Sequence, residues 1–190
     1  MLLPSAAHAA EWHFTGMGGF TFLGRTTLVD LDNSASDLHV TFGGAATFLT
    51  SGIVGVEGIG LFTPRFLKSG ASGLVVSGRT EALMGNLVLT APRRLTEYTL
   101  RPFVSGGVGL LRASLEDQPL APSGIHLVQY ATNLAGLDIG GGAVGFLTNS
   151  IGLRFDVRYF STLNRTDNVI AFGKTHLSYM TATVGVVYRR

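Results

Sequence analysis

The segment Ile151–Phe160, IGLRFDVRYF, admits few folds. Its odd positions are Ile151, Leu153, Phe155, Val157 and Tyr159, and its even positions include Arg154, Asp156 and Arg158. Strict period-two alternation marks a β-strand with two unlike faces. In a soluble sheet the apolar face meets a core and the charged face meets water. In a membrane barrel the apolar face meets lipid and the polar face lines the interior. The rest of the chain has to decide between these.

Charged residues make up 14% of the chain, against a usual share of about 25%, and the mean hydropathy is positive, at +0.35. Even so, the sequence holds no run of about 18 apolar residues, so a transmembrane helix is not expected. Few charges without a long apolar run is what interleaved apolar and polar residues of a transmembrane barrel give. The two lysines, Lys68 and Lys174, fall between candidate strands, whereas a soluble all-β protein spreads lysine along its faces and edges. The net charge of +2 is too small to suggest a nucleic-acid partner. The absence of cysteine removes disulfides, thiol nucleophiles and Cys-based zinc sites. Gly is abundant, 26 of 190 residues, and many glycines sit inside alternating runs, where they suit tight curvature and small interior positions.

Eight segments alternate. They are about Trp12–Leu23, Leu38–Leu49, Ile53–Phe62, Arg79–Thr90, Leu100–Leu111, Leu134–Leu147, Ile151–Phe160 and His176–Arg189. The connections after the first, third, fifth and seventh are long and polar, and the other three are shorter, as in Thr50-Ser51-Gly52 and Thr148-Asn149-Ser150. That alternation predicts an all-β, eight-stranded antiparallel up-and-down transmembrane barrel, with long external loops, short turns and both termini periplasmic. Ala7-His8-Ala9 fits the small-x-small pattern of an export signal, so residues 1–9 read as the remnant of one and residues 10–190 as the barrel domain.

A magnitude sets the predicted orientation. An arginine facing lipid near the midplane costs about 2–4 kcal/mol. Exposing Arg154, Asp156 and Arg158 together would rival the stability of a whole domain. These three are therefore expected inside, in a lumen ion network with Glu57, Arg101 and Asp138, and with His13 and His39 as further interior hydrogen-bonding groups. Eight strands leave room for side chains but not for a wide channel, so a plugged lumen is expected. Outward aromatics should form two girdles, one of Trp12, Phe14, Phe48 and Tyr188 and one of Phe22, Phe62 and Tyr159.

The stretches MGNLVLTAP, LRPFVSGGVGLLR, LDIGGGAVGF, IGLRFDVRYF and TATVGVVYRR resemble the OmpA-like, eight-stranded outer-membrane β-barrel family over nearly all of Trp12–Arg190. The resemblance implies location in a bacterial outer membrane and contact with its lipid. Its motifs are patterns and not catalytic signatures.

Other candidates are weaker. Gly140–Gly145 matches G-x-G-x-x-G, but a dinucleotide site needs that turn to open a helix, and strand and turn follow here. Asp30, Asp32, Asn33 and Asp37 gather hard oxygen ligands in the first loop but lack EF-hand spacing. His176 and Ser178 resemble the lipid-facing His-x-Ser pair of outer-membrane lipid A deacylases, in which a base activates the serine, although Tyr179 stands where that family has Asn. The leading expectation is a non-enzymatic, monomeric structural or interaction protein without a cofactor, meeting an extracellular partner through its loops. The alternatives are a lipid A-modifying esterase using His176 and Ser178, and a soluble lipocalin-like ligand carrier with the opposite polarity.

Overall fold

A computed structural model describes residues 10–26, 38–50, 53–68, 76–92, 96, 100–117, 130–163 and 177–190. They form eight strands: β1 (Glu11–Thr26), β2 (His39–Thr50), β3 (Val54–Lys68), β4 (Val76–Thr90), β5 (Arg101–Asp117), β6 (Tyr130–Phe146), β7 (Ile151–Thr162) and β8 (Leu177–Arg189). Each strand pairs antiparallel with its neighbour in sequence, and β1 pairs with β8 to close the barrel. At the seam Phe14 lies opposite Tyr188 and Thr21 opposite Thr181. The backbones of Trp12 and Arg190 donate to each other's carbonyls at 3.1 and 2.9 Å. Closure satisfies every ladder and leaves no sheet edge, which a barrel in hydrocarbon requires.

All eight expected strands are present, and their differences of more than one residue from expectation lie at the end away from the termini, the loop end. There β3 continues to Lys68, β4 begins at Val76, β5 continues to Asp117 and β6 begins at Tyr130. Lys68 therefore belongs to a strand and not to a connection. The ladder continues where apolar and polar residues no longer alternate, so the pattern that reveals a strand stops before the strand does. Pro64 lies where the β3–β4 register shifts, between Thr63 and Leu67, an irregularity that tolerates a residue without an N–H. A second irregularity, between Phe22 and Arg25, holds Leu23 at φ 52°.

The polarity is inverted relative to a soluble barrel. Outward side chains are apolar and open, among them Trp12, Phe42, Val56, Leu87, Val108, Ile139, Phe155 and Val186. Arg154, Asp156 and Arg158 are 4%, 3% and 1% exposed. A soluble ligand carrier of lipocalin type needs the reverse arrangement, and that reading is overturned. From Leu100 the outward positions run Pro102, Val104, Gly106, Val108 and Leu110 before reaching Arg112. Ten residue steps at about 3.3 Å, tilted by about 40°, span about 25 Å, the height of a barrel's apolar band.

Candidate functional site

The interior is layered along the barrel axis. At the end that carries the termini, the turn end, Leu49, Val88 and Phe103 pack with Val144. Above them lies an ion cluster. Above that lies an apolar layer that includes Met17, Ile59, Leu61, Met84, Leu111 and Phe160. Phe160 stacks on Tyr179 with ring centroids 5.0 Å apart. The loop end of the interior is tied by three threonine hydroxyls, Thr41 bonding to Thr21 at 2.6 Å and to Thr63 at 2.8 Å.

The ion cluster joins β3, β6 and β7. Alternation along β7 turns Arg154, Asp156 and Arg158 to the same side. Arg154 donates to Glu57 at 2.5 Å and to Asp156 at 2.6 Å. Arg158 donates to Glu57 at 2.5 Å, to Asp138 at 2.8 Å and to Asp156 at 2.9 Å. Thr47 adds a bond to Glu57 at 2.8 Å and Asn86 one to Asp138 at 3.0 Å. Each guanidinium thus bridges two or three carboxylates, the geometry in which charge-assisted bonds are strongest. Arg154 also lies 4.5 Å from the centroid of the Phe103 ring, a cation–π contact shielded from water.

The glycines of β6 make this packing possible. A Cβ on Gly140 would come 2.5 Å from Arg158 Cγ, and one on Gly142 would come 1.8 Å from the Phe155 carbonyl oxygen. The G-x-G-x-x-G motif therefore lies within the turn-end part of β6 and leads through a turn into β7, with no helix following it, and serves to seat β7 and its charged side chains.

Five of the six expected network residues meet in this cluster: Glu57, Asp138, Arg154, Asp156 and Arg158. Arg101 is also interior, but it is held at the turn end, donating to the Ala91 carbonyl at 2.8 Å and to the Thr90 hydroxyl at 2.7 Å. Its place as the first residue of β5 explains this. His13 and His39 both face the interior, at opposite ends, with His13 3.4 Å from Glu11. Below the cluster, a cavity of about 20 Å³ is lined by His13, Glu57, Arg101, Phe103 and Arg154 among others, room for about one water molecule.

Asp30, Asp32, Asn33, Asp37 and His176 lie outside the described residues. Ser178 does not stand open to lipid. It is 4% exposed and sits opposite Ser161 and Arg25 in the ladders. A deacylase nucleophile has to be reached by an acyl ester, and this serine is covered, so the lipid-facing pair read from sequence is corrected at Ser178. The apolar layer around Phe160 and Tyr179 is the interior feature that alternation does not reveal, because Ile59, Gly60, Leu61 and Phe62 are all apolar although they face opposite ways.

No family model matches the chain, and no curated protein matches it in sequence. Solved structures do. The chain is similar to Neisserial surface protein A, at 13% identity over 94% of this chain and 98% of that one, with a TM-score of 0.62. It is similar to the N-terminal β-barrel domain of Pseudomonas aeruginosa OprF, at 13% identity over 95% and 97%, with a TM-score of 0.54. It is similar to Ail, the attachment invasion locus protein of Yersinia pestis, at 14% identity over 95% and 98%, with a TM-score of 0.54. The fold is that of the eight-stranded outer-membrane β-barrels, as the OmpA-like resemblance implies.

Proposed function

We propose that this chain is a stoppered outer-membrane barrel that acts without catalysis. On this reading its loops meet a partner outside the cell and its termini lie in the periplasm. The observation that carries the proposal is the buried, multiply bridged ion cluster, with apolar side chains packed toward the loop end and, beside a small cavity, toward the turn end. Glu57 and Asp156 are 3% exposed and Arg158 is 1% exposed, and a through-path would have to separate several bridged charges at once. Pulling a charge out of such a cluster strands its partners in a low dielectric. The apolar band of about 25 Å supports the membrane setting, and the loop role draws on Ail, an attachment protein of the same fold.

Planar-bilayer recording tests the stopper. The reconstituted barrel is expected to give no steady conductance, and a large steady conductance would overturn the reading. An epitope placed within residues 118–129 should be reached by antibody on intact cells, and one after Arg190 should not. The reverse pattern would overturn the orientation.

A further inference from the structure

The wall made by β4, β5 and β6 differs from the rest of the barrel. Its outward side chains include Leu83, Leu87, Val104, Val108, Leu110 and Ile139, with Gly85, Gly106 and Gly141 between them. Among the described residues, outward aromatics stand on β1, β2, β3, β7 and β8 but not on this arc. The aromatic girdles are therefore interrupted here. Leu83, Leu87 and Ile139 are 65%, 65% and 67% exposed. Gly85 and Gly106 leave furrows between the branched side chains, since a Cβ on either would meet nothing closer than 3.9 or 3.5 Å.

At the loop end this wall turns polar within one row. Glu81, Arg112 and Asn133 are register partners across the three strands. Glu81 engages Arg79 at 3.5 Å, and Arg112 beside it stands exposed at the upper limit of the apolar band. With Arg79 and Arg112 set against Glu81, this rim carries a net positive charge, and furrowed aliphatic surface beneath it is complementary to an amphiphile with an anionic head. Resting on the membrane reading above, we propose that the β4–β6 wall seats a lipid with a phosphate headgroup, its chains along the furrows and its phosphate on Arg112, with Arg79 alongside. A guanidinium binds phosphate through paired N–H donors. A second copy of the chain is the other candidate for so flat a wall. Two copies related by an axis along the membrane normal would share this wall, bringing Arg112 to Arg112 at one height, and like charges juxtaposed across an interface are unfavourable.

The test takes the full chain refolded into phosphatidylcholine vesicles with about one part in ten phosphatidic acid, then released into detergent for native mass spectrometry. The wild-type protein should retain phosphatidic acid in preference to phosphatidylcholine. Arg112→Gln should lower that retention about fivefold, the factor expected for one basic side chain near an anionic lipid surface. Arg112→Lys, which keeps the charge but not the paired donors, should fall between wild type and Arg112→Gln, and Arg189→Gln, at the opposite rim, should leave retention unchanged. Equal retention by Arg112→Gln, or no preference for phosphatidic acid, would overturn the proposal. A lipid-free dimer would overturn it in favour of a second copy. Insertion is read separately, from the faster gel migration of unheated folded barrel. Wild-type protein that fails to insert would bring down the membrane reading, while insertion without retention would bring down the lipid seat alone.

Discussion

Replacing Arg158 with methionine probes the ion cluster at its most connected member. Arg158 donates to Asp156 at 2.9 and 3.0 Å, to Asp138 at 2.8 Å and to Glu57 at 2.5 Å. Methionine keeps an unbranched stem beside Gly140 but removes all of these bonds and one of the two cations in the cluster. Glu57 and Asp156 keep Arg154, while Asp138 keeps only the neutral Asn86 amide as donor within the cluster. Breaking a buried pair by removing one partner costs about 3–5 kcal/mol, a large share of a typical stability of about 5–15 kcal/mol. The expected loss is that figure and not four times it, because the carboxylates relax toward Arg154 and water can enter. Urea unfolding in phosphatidylcholine vesicles measures it, read by the single tryptophan, Trp12, which is 46% exposed on the lipid side. Adding Asp138→Asn should recover part of the loss, because the unpaired charge is removed, with a coupling of about 1–3 kcal/mol. A loss under about 1 kcal/mol, or strictly additive effects, would refute the claim that these charges depend on one another.

Other substitutions separate interior from wall. Gly142→Ala should cost about 1–3 kcal/mol by overpacking in the same urea assay, whereas Gly58→Ala, whose Cβ would meet nothing within 4 Å, should stay within about 0.5 kcal/mol. Phe160→Ala opens the apolar layer against Tyr179 and should cost about 3–5 kcal/mol, with equal stability to wild type counting against a packed layer there. Val104→Arg, close to the middle of the Leu100–Leu110 band, should cost about 2–4 kcal/mol, while Arg112→Leu, beyond the band, should change vesicle stability by less than about 1 kcal/mol. Equal costs at the two positions would show that the band is misplaced.

Much of the fold is legible in the sequence because lipid and lumen impose opposite demands on adjacent residues. In β7 that contrast holds from Leu153 to Tyr159, so strand, facing and charge placement follow from LRFDVRY, while the interior Phe160 departs from it. It fails in two kinds of place. Above the band, the β5 ladder runs on through Asp117 although the sequence there no longer sets an apolar face against a polar one. In the apolar layer, Ile59 and Leu61 face inward while Phe62 faces outward, and sequence offers no contrast to separate them. The pairing of Arg158 with three acids depends on barrel register, which brings β3, β6 and β7 side chains together over separations of up to 101 residues. Arg101 shows the limit of parity alone. Its facing is right, but its height along the axis sets its partners, which include Thr90 and Ala91.

Spin labels measure the inverted polarity most directly, and the chain has no native cysteine to compete with introduced ones. Single cysteines at Val104, Val108 and Leu137 on the wall, and at Ser105 and Thr181 inside, would be labelled in vesicles and their collisions with oxygen and with a water-soluble nickel chelate compared. Wall labels are expected to collide freely with oxygen and hardly at all with the chelate, and interior labels to be sheltered from both. Wall labels reached by the chelate, or interior labels more open to oxygen than the wall, would contradict the inverted polarity of this barrel.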